Sequence, residues 1–122
     1  MTPTLSDIEI YLLKAQPEQV RAWLESSIGP VTETAIKGNS HFWQCESMEM
    51  VFTVRAEGNF DSLWIKQNQS PWADDLECAR SAHHVLETEI RCAAREWNES
   101  ESGDQPGWIK LTHGQEKTFD WK

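Results

Sequence analysis

Hydrophobic and polar residues alternate along several short segments of the chain, and two longer segments show helical spacing instead. Between Asp7 and Leu13, apolar residues recur at every second position from Ile8 onward, which is the period of a strand with one apolar face. The same kind of pattern predicts further strands over 32–37, 41–46, 48–55, 60–66, 88–93, 108–112 and 117–121. Gly38-Asn39 and His113-Gly114 predict hairpin turns between neighbouring strands.

Two segments predict helices. Pro17 is expected to begin the first helix, because its fixed φ suits the opening turn, and Gly29-Pro30 to end it. Its apolar stripe consists of Val20, Trp23, Leu24 and Ile28. Ser70 and Pro71 predict the start of the second helix, with serine as the N-cap and proline as the first helical residue. The second stripe consists of Trp72, Leu76, Ala79, His83 and Leu86.

The predicted order is a strand, a helix and three strands, twice over. We therefore expect a single α+β domain over 1–122, in which two similar β-α-β-β(-β) halves form a mostly antiparallel sheet with two helices packed on one face. The proposed pseudo-repeat comprises 7–57 and 60–121, since Pro17 and Trp43 of the first half correspond to Pro71 and Trp97 of the second. The acidic, turn-forming segment 98–107 predicts a mobile loop.

Charge and composition narrow the classes of partner. A length of 122 residues suffices for one hydrophobic core. The formal net charge of −9, from 20 acidic and 11 basic residues, argues against nucleic-acid binding, which needs clustered lysine and arginine. The same charge is consistent with a basic protein partner or with acidity for solubility alone. The seven tryptophans suit both a core and a binding surface, because each combines a large ring with a polar N–H.

The sequence also predicts a location. No apolar run approaches the roughly 18–20 residues of a membrane-spanning helix, so we expect no membrane partner, and the first residues lack the pattern of a signal peptide. The three cysteines, Cys45, Cys78 and Cys92, are an odd number at wide spacing, which is a poor disulfide framework. We therefore expect reduced thiols in the cytoplasm, in a monomer or a homodimer.

Motifs of known catalytic sites do not occur in the sequence: it has no G-x-S-x-G, C-x-x-C or H-E-x-x-H and no glycine-rich phosphate loop. His83 and Glu87 are four residues apart and could both reach a metal, but no further ligand is indicated. We interpret His83 as a core-edge histidine with one hydrogen bond, and Cys78 and Cys92 as small buried residues. A metal-binding His83 and a reactive thiol are the alternatives. We expect no catalytic residue, no metal and no cofactor.

Aromatic residues on the strands are the best candidates for a binding site. If Ile8, Ile10 and Leu12 face the helices, the alternation places Tyr11, Trp64 and Trp108 on the opposite face, with Trp43 or Trp97 as further members. The binding candidates are Tyr11, Trp43, Trp64, Trp97 and Trp108. Such a face has three explanations: a structural surface covered by lysine and arginine stems, a dimer interface, or a recognition surface.

Three functions are consistent with these features. The leading hypothesis is a small acidic cytoplasmic interaction protein without enzymatic activity, which binds a basic protein partner through the aromatic face. The second is a small-ligand or metal-binding enzyme, because the paired βαβββ order resembles the glyoxalase and vicinal-oxygen-chelate superfamily. That resemblance implies metal ligands from strands of both halves, for which Glu9, His41 and Glu49 are the candidates, without partners in the second half. The third is a homodimer whose function lies elsewhere.

Overall fold

The computed structural model describes residues 7–46, 48–66, 70–93 and 107–119 of the chain. Its elements in chain order are β1 (Ile8–Leu13), α1 (Pro17–Ile28), β2 (Thr32–Lys37), β3 (Ser40–Cys45), β4 (Met48–Glu57), β5 (Phe60–Ile65), α2 (Asp75–Leu86), β6 (Ile90–Ala93), β7 (Trp108–Thr112) and β8 (Gln115–Phe119). This is the predicted order of a strand, a helix and three strands, followed by the same series again. Trp97, Trp121 and most of the predicted acidic loop lie outside the described residues.

The strands form one sheet in the order β2-β3-β4-β5-β1-β6-β7-β8. All seven neighbouring pairs are antiparallel. The predicted α+β class with a mostly antiparallel sheet is therefore confirmed. Within the described residues, β2 and β8 are the edges of the sheet.

The predicted duplication is not visible in the strand order. If the halves 7–57 and 60–121 were related by a simple twofold exchange, β1 would be equivalent to β5, and β2 would be equivalent to β6. The neighbours of β1 are β5 and β6, so the neighbours of β5 would have to be β1 and β2. The observed neighbours of β5 are β1 and β4 instead. The internal repeat stays a prediction from sequence.

Three two-residue turns join strands as expected from their residue types. Gly38 and Gly58 have φ of 58° and 59° at the first turn position between β2 and β3 and between β4 and β5. Glycine is favoured there because it reaches positive φ without steric cost. His113 and Gly114 both have positive φ in the β7–β8 turn. The predicted hairpin at His113-Gly114 is confirmed.

The start of the second helix was predicted wrongly. The helix begins at Asp75, and Asp74 is its N-cap, with a side chain that accepts a hydrogen bond from the Glu77 backbone N–H at 3.0 Å. Ser70 instead accepts a hydrogen bond from the backbone N–H of Trp72 in a turn before the helix. Trp72 lies outside the helix, and its ring stacks on that of Trp23 with centroids 5.1 Å apart.

One hydrophobic cluster combines buried residues of both helices with alternate residues of the strands. On the sheet, Ile10 lies opposite Leu63, and Leu63 lies opposite Phe52. We call this side of the sheet the core face, and the side that carries Tyr11 and Ser62 the outer face. The first predicted helix stripe is confirmed, since its members are buried or pack against the cluster.

The two helices contact each other, and α2 packs against β1, β6 and β7. Trp23 of α1 donates a hydrogen bond from its indole N–H to the Ser81 hydroxyl of α2 at 2.9 Å. At the C-terminal end of α1, the Cys45 thiol of β3 donates a hydrogen bond to the Ile28 carbonyl oxygen, 3.5 Å away. Side-chain hydrogen bonds thus connect α1 to α2 and to the sheet.

A buried carboxylate stabilises an irregularity in β4. The register between β4 and β5 shifts between Thr53 and Glu57, and Arg55 there has a φ of 52°. The Arg55 backbone N–H donates to Oδ1 of Asp61 at 2.7 Å. Asp61 is only 2% exposed, and its Oδ2 has no hydrogen-bond partner within the described residues. Burial raises the pKa of Asp61 above its ordinary value.

We expect Asp61→Asn to be more stable than Asp61→Ala at pH 7, because it keeps an oxygen for the Arg55 N–H. Asp61→Ala, which leaves that N–H unpaired, should lower the free energy of unfolding by about 1–3 kcal/mol. Between the ordinary pKa of an aspartate and the raised pKa of Asp61, the folded protein keeps a proton on this carboxyl that the unfolded chain has already lost. The free energy of unfolding of the wild type therefore falls as the pH rises through that interval.

The free energy of unfolding of Asp61→Asn, relative to that of the wild type, should therefore be higher at pH 7 than at pH 4. Urea denaturation of the three proteins at both pH values measures it. An asparagine variant as unstable as the alanine variant at pH 7 would contradict this role.

Candidate functional site

The antiparallel register arranges the outer face in rows that run across the sheet. One row, which we call the apolar row, crosses all eight strands and is interrupted by a single charged residue at β1. From β2 to β8 it consists of Ala35, Phe42, Val51, Trp64, Glu9, Ala93, Trp108 and Phe119. An aromatic or aliphatic side chain thus lies at nearly every strand along one line.

The neighbouring row is polar. From β2 to β8 it consists of Lys37, Ser40, Thr53, Ser62, Tyr11, Arg91, Lys110 and Lys117. Hydroxyl groups occupy its centre, and three adjacent cations occupy its β6–β8 end. We call Arg91, Lys110 and Lys117 the cationic strip.

Three of the five binding candidates share the outer face. The register places Tyr11, Trp64 and Trp108 there. Trp43 does not join them, because it lies opposite Met50 on the core face, where it is 2% exposed and stacks on Phe52. Trp97 lies outside the described residues. That these residues bind a partner stays a prediction.

Trp64 is the most exposed aromatic residue of this group, at 38%. Its indole N–H donates to Oδ2 of Asp7 at 2.9 Å, and the ammonium of Lys66 lies 4.9 Å from the ring centroid. Val51 lies opposite it on β4. The ring is thus held by two polar neighbours, and 38% of the residue's surface stays exposed.

Tyr11 lies near the middle of the sheet. Its ring meets that of Trp108 edge to face, with centroids 5.7 Å apart, and its hydroxyl donates to Oε2 of Glu9 at 3.3 Å. Burial, with the nearby Glu9 carboxylate as the next cause, raises the pKa of Tyr11 to about 12. The hydroxyl is therefore un-ionised at neutral pH and serves as a hydrogen-bonding group.

Cationic side chains cover part of the aromatic surface. The Arg91 guanidinium lies 4.2 Å from the ring centroid of Phe60 and 4.7 Å from that of Phe119. It is also paired with Glu89 at 2.8 Å. The ammonium of Lys37 lies 5.7 Å from the Phe42 ring. These contacts are those expected of a structural surface covered by long stems, so exposure is concentrated at Trp64.

The sequence did not identify Phe42, Val51, Phe119 or the cationic strip as candidate binding residues. Alternation alone places each of them on one face of its own strand, and the Gly-Asn turns would have indicated the β2–β3 and β4–β5 registers. What was missing was the insertion of β1 between β5 and β6, which joins the separate hairpins into continuous rows.

A cleft of about 640 Å³ lies at the end of the sheet, between the C-terminus of α2 and the β7–β8 turn. Three of the four histidines line it: His83, His84 and His113. His83 makes two hydrogen bonds: Nδ1 lies 2.8 Å from the Thr88 carbonyl oxygen, and Nε2 accepts from the Gly114 backbone N–H at 3.0 Å. Since Nε2 is the acceptor, Nδ1 carries the proton, and neither ring nitrogen is left for a ligand.

The structure does not bring the glyoxalase-like ligand candidates together. Glu9 and Glu49 lie on the outer face, whereas His41 lies opposite Phe52 on the core face. Nδ1 of His41 lies 2.9 Å from Oε1 of Glu33. Within the described ranges, no group of three or more histidine, cysteine, aspartate or glutamate side chains is placed to hold a metal ion.

The three cysteines are buried, and none of them forms a disulfide. Burial raises the pKa of the Cys78 thiol well above its ordinary value, and the Asp75 carboxylate acts in the same direction. Burial likewise raises the pKa of Cys45. Because the thiolate is the reactive form, these two thiols are poor nucleophiles at neutral pH.

Comparison of the chain with models of known protein families, with curated proteins and with solved structures finds no match in any of the three. In the part of the chain that the structure describes, neither helix has the length and apolar character needed to cross a membrane.

We expect Trp43→Ala to lower the free energy of unfolding by about 3–5 kcal/mol, because it opens a cavity beside Phe52. Trp64→Ala should cost less, since Trp64 is far more exposed than Trp43. Denaturant unfolding of both variants measures the difference. Equal losses would mean that Trp64 is a core residue and that the outer face is not a free surface.

We expect tyrosinate absorbance to titrate with a midpoint of about 12, against about 10 for an exposed tyrosine. Tyr11 is the only tyrosine, so the signal reports one group. Glu9→Gln should lower the midpoint part of the way, because burial is the larger cause, and Glu49→Gln should leave it unchanged. Circular dichroism in the same titration shows whether the protein is folded; a midpoint near 10 in folded protein would contradict the contacts of Tyr11.

Proposed function

We propose that this chain is a non-enzymatic interaction protein that binds a protein partner through the outer face. The observation that carries the proposal is the apolar row, which runs across every strand and contains four aromatic side chains, with Trp64 exposed. Aromatic residues dominate the energetics of protein interfaces. The proposal assumes that both helices cover the core face, so that the outer face is left for the partner.

The size of the outer face suits such an interface. Neighbouring strands are about 4.8 Å apart and alternate residues of one strand about 6.8 Å apart, so each outer-face residue occupies about 33 Å². The eight strands supply about three such residues each, which together cover roughly 800 Å². A standard interface buries about 800 Å² on each partner. The outer face is therefore large enough to form most of one contact surface.

The net charge of the whole molecule and the charge of the outer face indicate different properties of the partner. The net charge of −9 favours a partner that is basic overall, since long-range steering follows the field of the whole protein. Among the described residues, the outer face itself is balanced: its cations are Lys37, Lys66, Arg91, Lys110 and Lys117, and its acids are Asp7, Glu9, Glu49, Glu57 and Glu89. The contact chemistry is thus not acidic.

A homodimer through the same face is the second candidate function, favoured by the same apolar row. Native mass spectrometry beside the denatured mass distinguishes the two. A dimer that dissociates in the Trp64→Ala variant would assign the outer face to self-association and would overturn a separate partner. A bound metal or small ligand in the native mass would instead favour the glyoxalase-like alternative, an enzyme.

We expect Trp64→Ala to weaken binding of a partner identified by affinity capture at least about tenfold, as loss of an interface aromatic does. Ile36→Ala and Val85→Ala are matched controls, because they remove side chains that are 56% and 50% exposed and lie off the outer face. Calorimetric titration of the purified partner measures the affinities. Equal losses in all variants, or no loss in Trp64→Ala, would place the interface elsewhere.

A further inference from the structure

We infer that the partner presents an extended acidic segment to the β7–β8 end of the sheet, where the cationic strip binds its carboxylates. This inference rests on the proposed function and names the chemistry of the contact. Arg91, Lys110 and Lys117 lie directly opposite one another on β6, β7 and β8. They are three of only 11 basic residues in a chain with 20 acidic ones.

The arrangement is unfavourable in the isolated protein. Side chains directly opposite on antiparallel strands have Cβ atoms about 4.5–5.5 Å apart, and like charges there are destabilising. Here Lys110 faces a like charge on both sides. Sequences depart from such local rules mainly at functional sites, and an anionic partner would remove the repulsion.

Among the described residues, the strip contains one cation with an ion pair and two without one. Arg91 is paired with Glu89 at 2.8 Å. Within the described residues, neither Lys110 nor Lys117 forms an ion pair, and the Lys110 ammonium lies 5.5 Å from the ring centroid of Phe119. The Lys110 ammonium beside the Phe119 ring, together with the Lys117 ammonium, can therefore receive the carboxylates of a segment that also carries apolar side chains.

Because β8 is an edge strand of the described sheet, it predicts which residue types the acidic segment should carry. Within the described part of the chain, β8 is hydrogen-bonded to β7 and to no second strand. A strand added to β8 would continue both rows of the outer face. The residue opposite Lys117 would then be acidic and the residue opposite Phe119 apolar, two positions apart.

Two other occupants fit less well. A second copy paired antiparallel about the centre of β8 would place Lys117 opposite its own equivalent, which repeats the like-charge contact. A nucleic acid needs clustered cations along its phosphate backbone, whereas the described outer face carries as many carboxylates as cations. An acidic polypeptide segment is the occupant that the charges favour.

The test is an NMR titration of the isotope-labelled protein with a short peptide that alternates glutamate with leucine. We expect it to shift the backbone amides of β8, and we expect the Lys110→Gln/Lys117→Gln double variant to bind it at least about tenfold more weakly. Lys37→Gln, in the same row at the β2 end, is the matched control and should bind normally. The same peptide with lysine in place of glutamate should not bind.

A second measurement does not depend on the peptide. Because Lys117→Gln removes one like-charge contact, it should raise the melting temperature by roughly 1–4 °C. Lys37→Gln should not, since Lys37 lies opposite Ser40. A melting temperature that is unchanged or lowered in Lys117→Gln would overturn the idea that the strip is held under repulsion.

The remaining outcomes separate this inference from the proposed function. Equal binding of the glutamate peptide by the double variant, or preferred binding of the lysine peptide or of single-stranded DNA, would overturn the acidic segment. The proposed function would survive such a result if Trp64→Ala still weakened the captured partner, and would fall if it did not.

Discussion

The position of β1 between β5 and β6 is the constraint on which the rest of the structure depends. Ile8, Ile10 and Leu12 are each exposed by 1% or less. The residues opposite them are buried as well: Ile65, Leu63 and Asp61 on β5, and Cys92 and Ile90 on β6. Because side chains alternate along a strand, a slip of one residue would move all three to the outer face. The core and the outer face are therefore determined by the same pairing, and neither can change without the other.

That pairing also explains why aromatic and charged groups meet on the outer face. Tyr11 of β1 lies between Ser62 of β5 and Arg91 of β6, so one strand joins a hydroxyl-rich half of the polar row to a cationic half. The cations lie over neighbouring rings, as Arg91 does over Phe60 and Phe119. Such contacts stabilise long side chains on an aromatic surface. Trp64 is the most exposed aromatic residue of the outer face.

Charge is distributed unevenly over the molecule. The chain is strongly acidic as a whole, yet the outer face carries as many cations as carboxylates among its described residues. The net charge that suggested a basic partner is thus a property of the rest of the molecule. Long-range steering and short-range contact can require opposite charges, and the two are separable by mutation.

Local pattern determined the elements of this protein, and long-range pairing determined its surfaces. Alternation, proline and the turn residues predicted the order of eight strands and two helices, the α+β class and the turn at His113-Gly114, because each is a property of a few neighbouring residues. The start of α2 was wrong because Asp74 and Glu77 cap the helix there while Trp72 packs on Trp23.

The tertiary structure alone decided which face each strand residue shares with residues far away in sequence. It placed Trp43 in the core rather than beside Trp64, and it aligned Arg91, Lys110 and Lys117 in one row. Alternation gives a strand two faces but does not say which one meets a helix, and it does not say which strand will be its neighbour. Those choices follow from the burial of apolar side chains across the whole sheet.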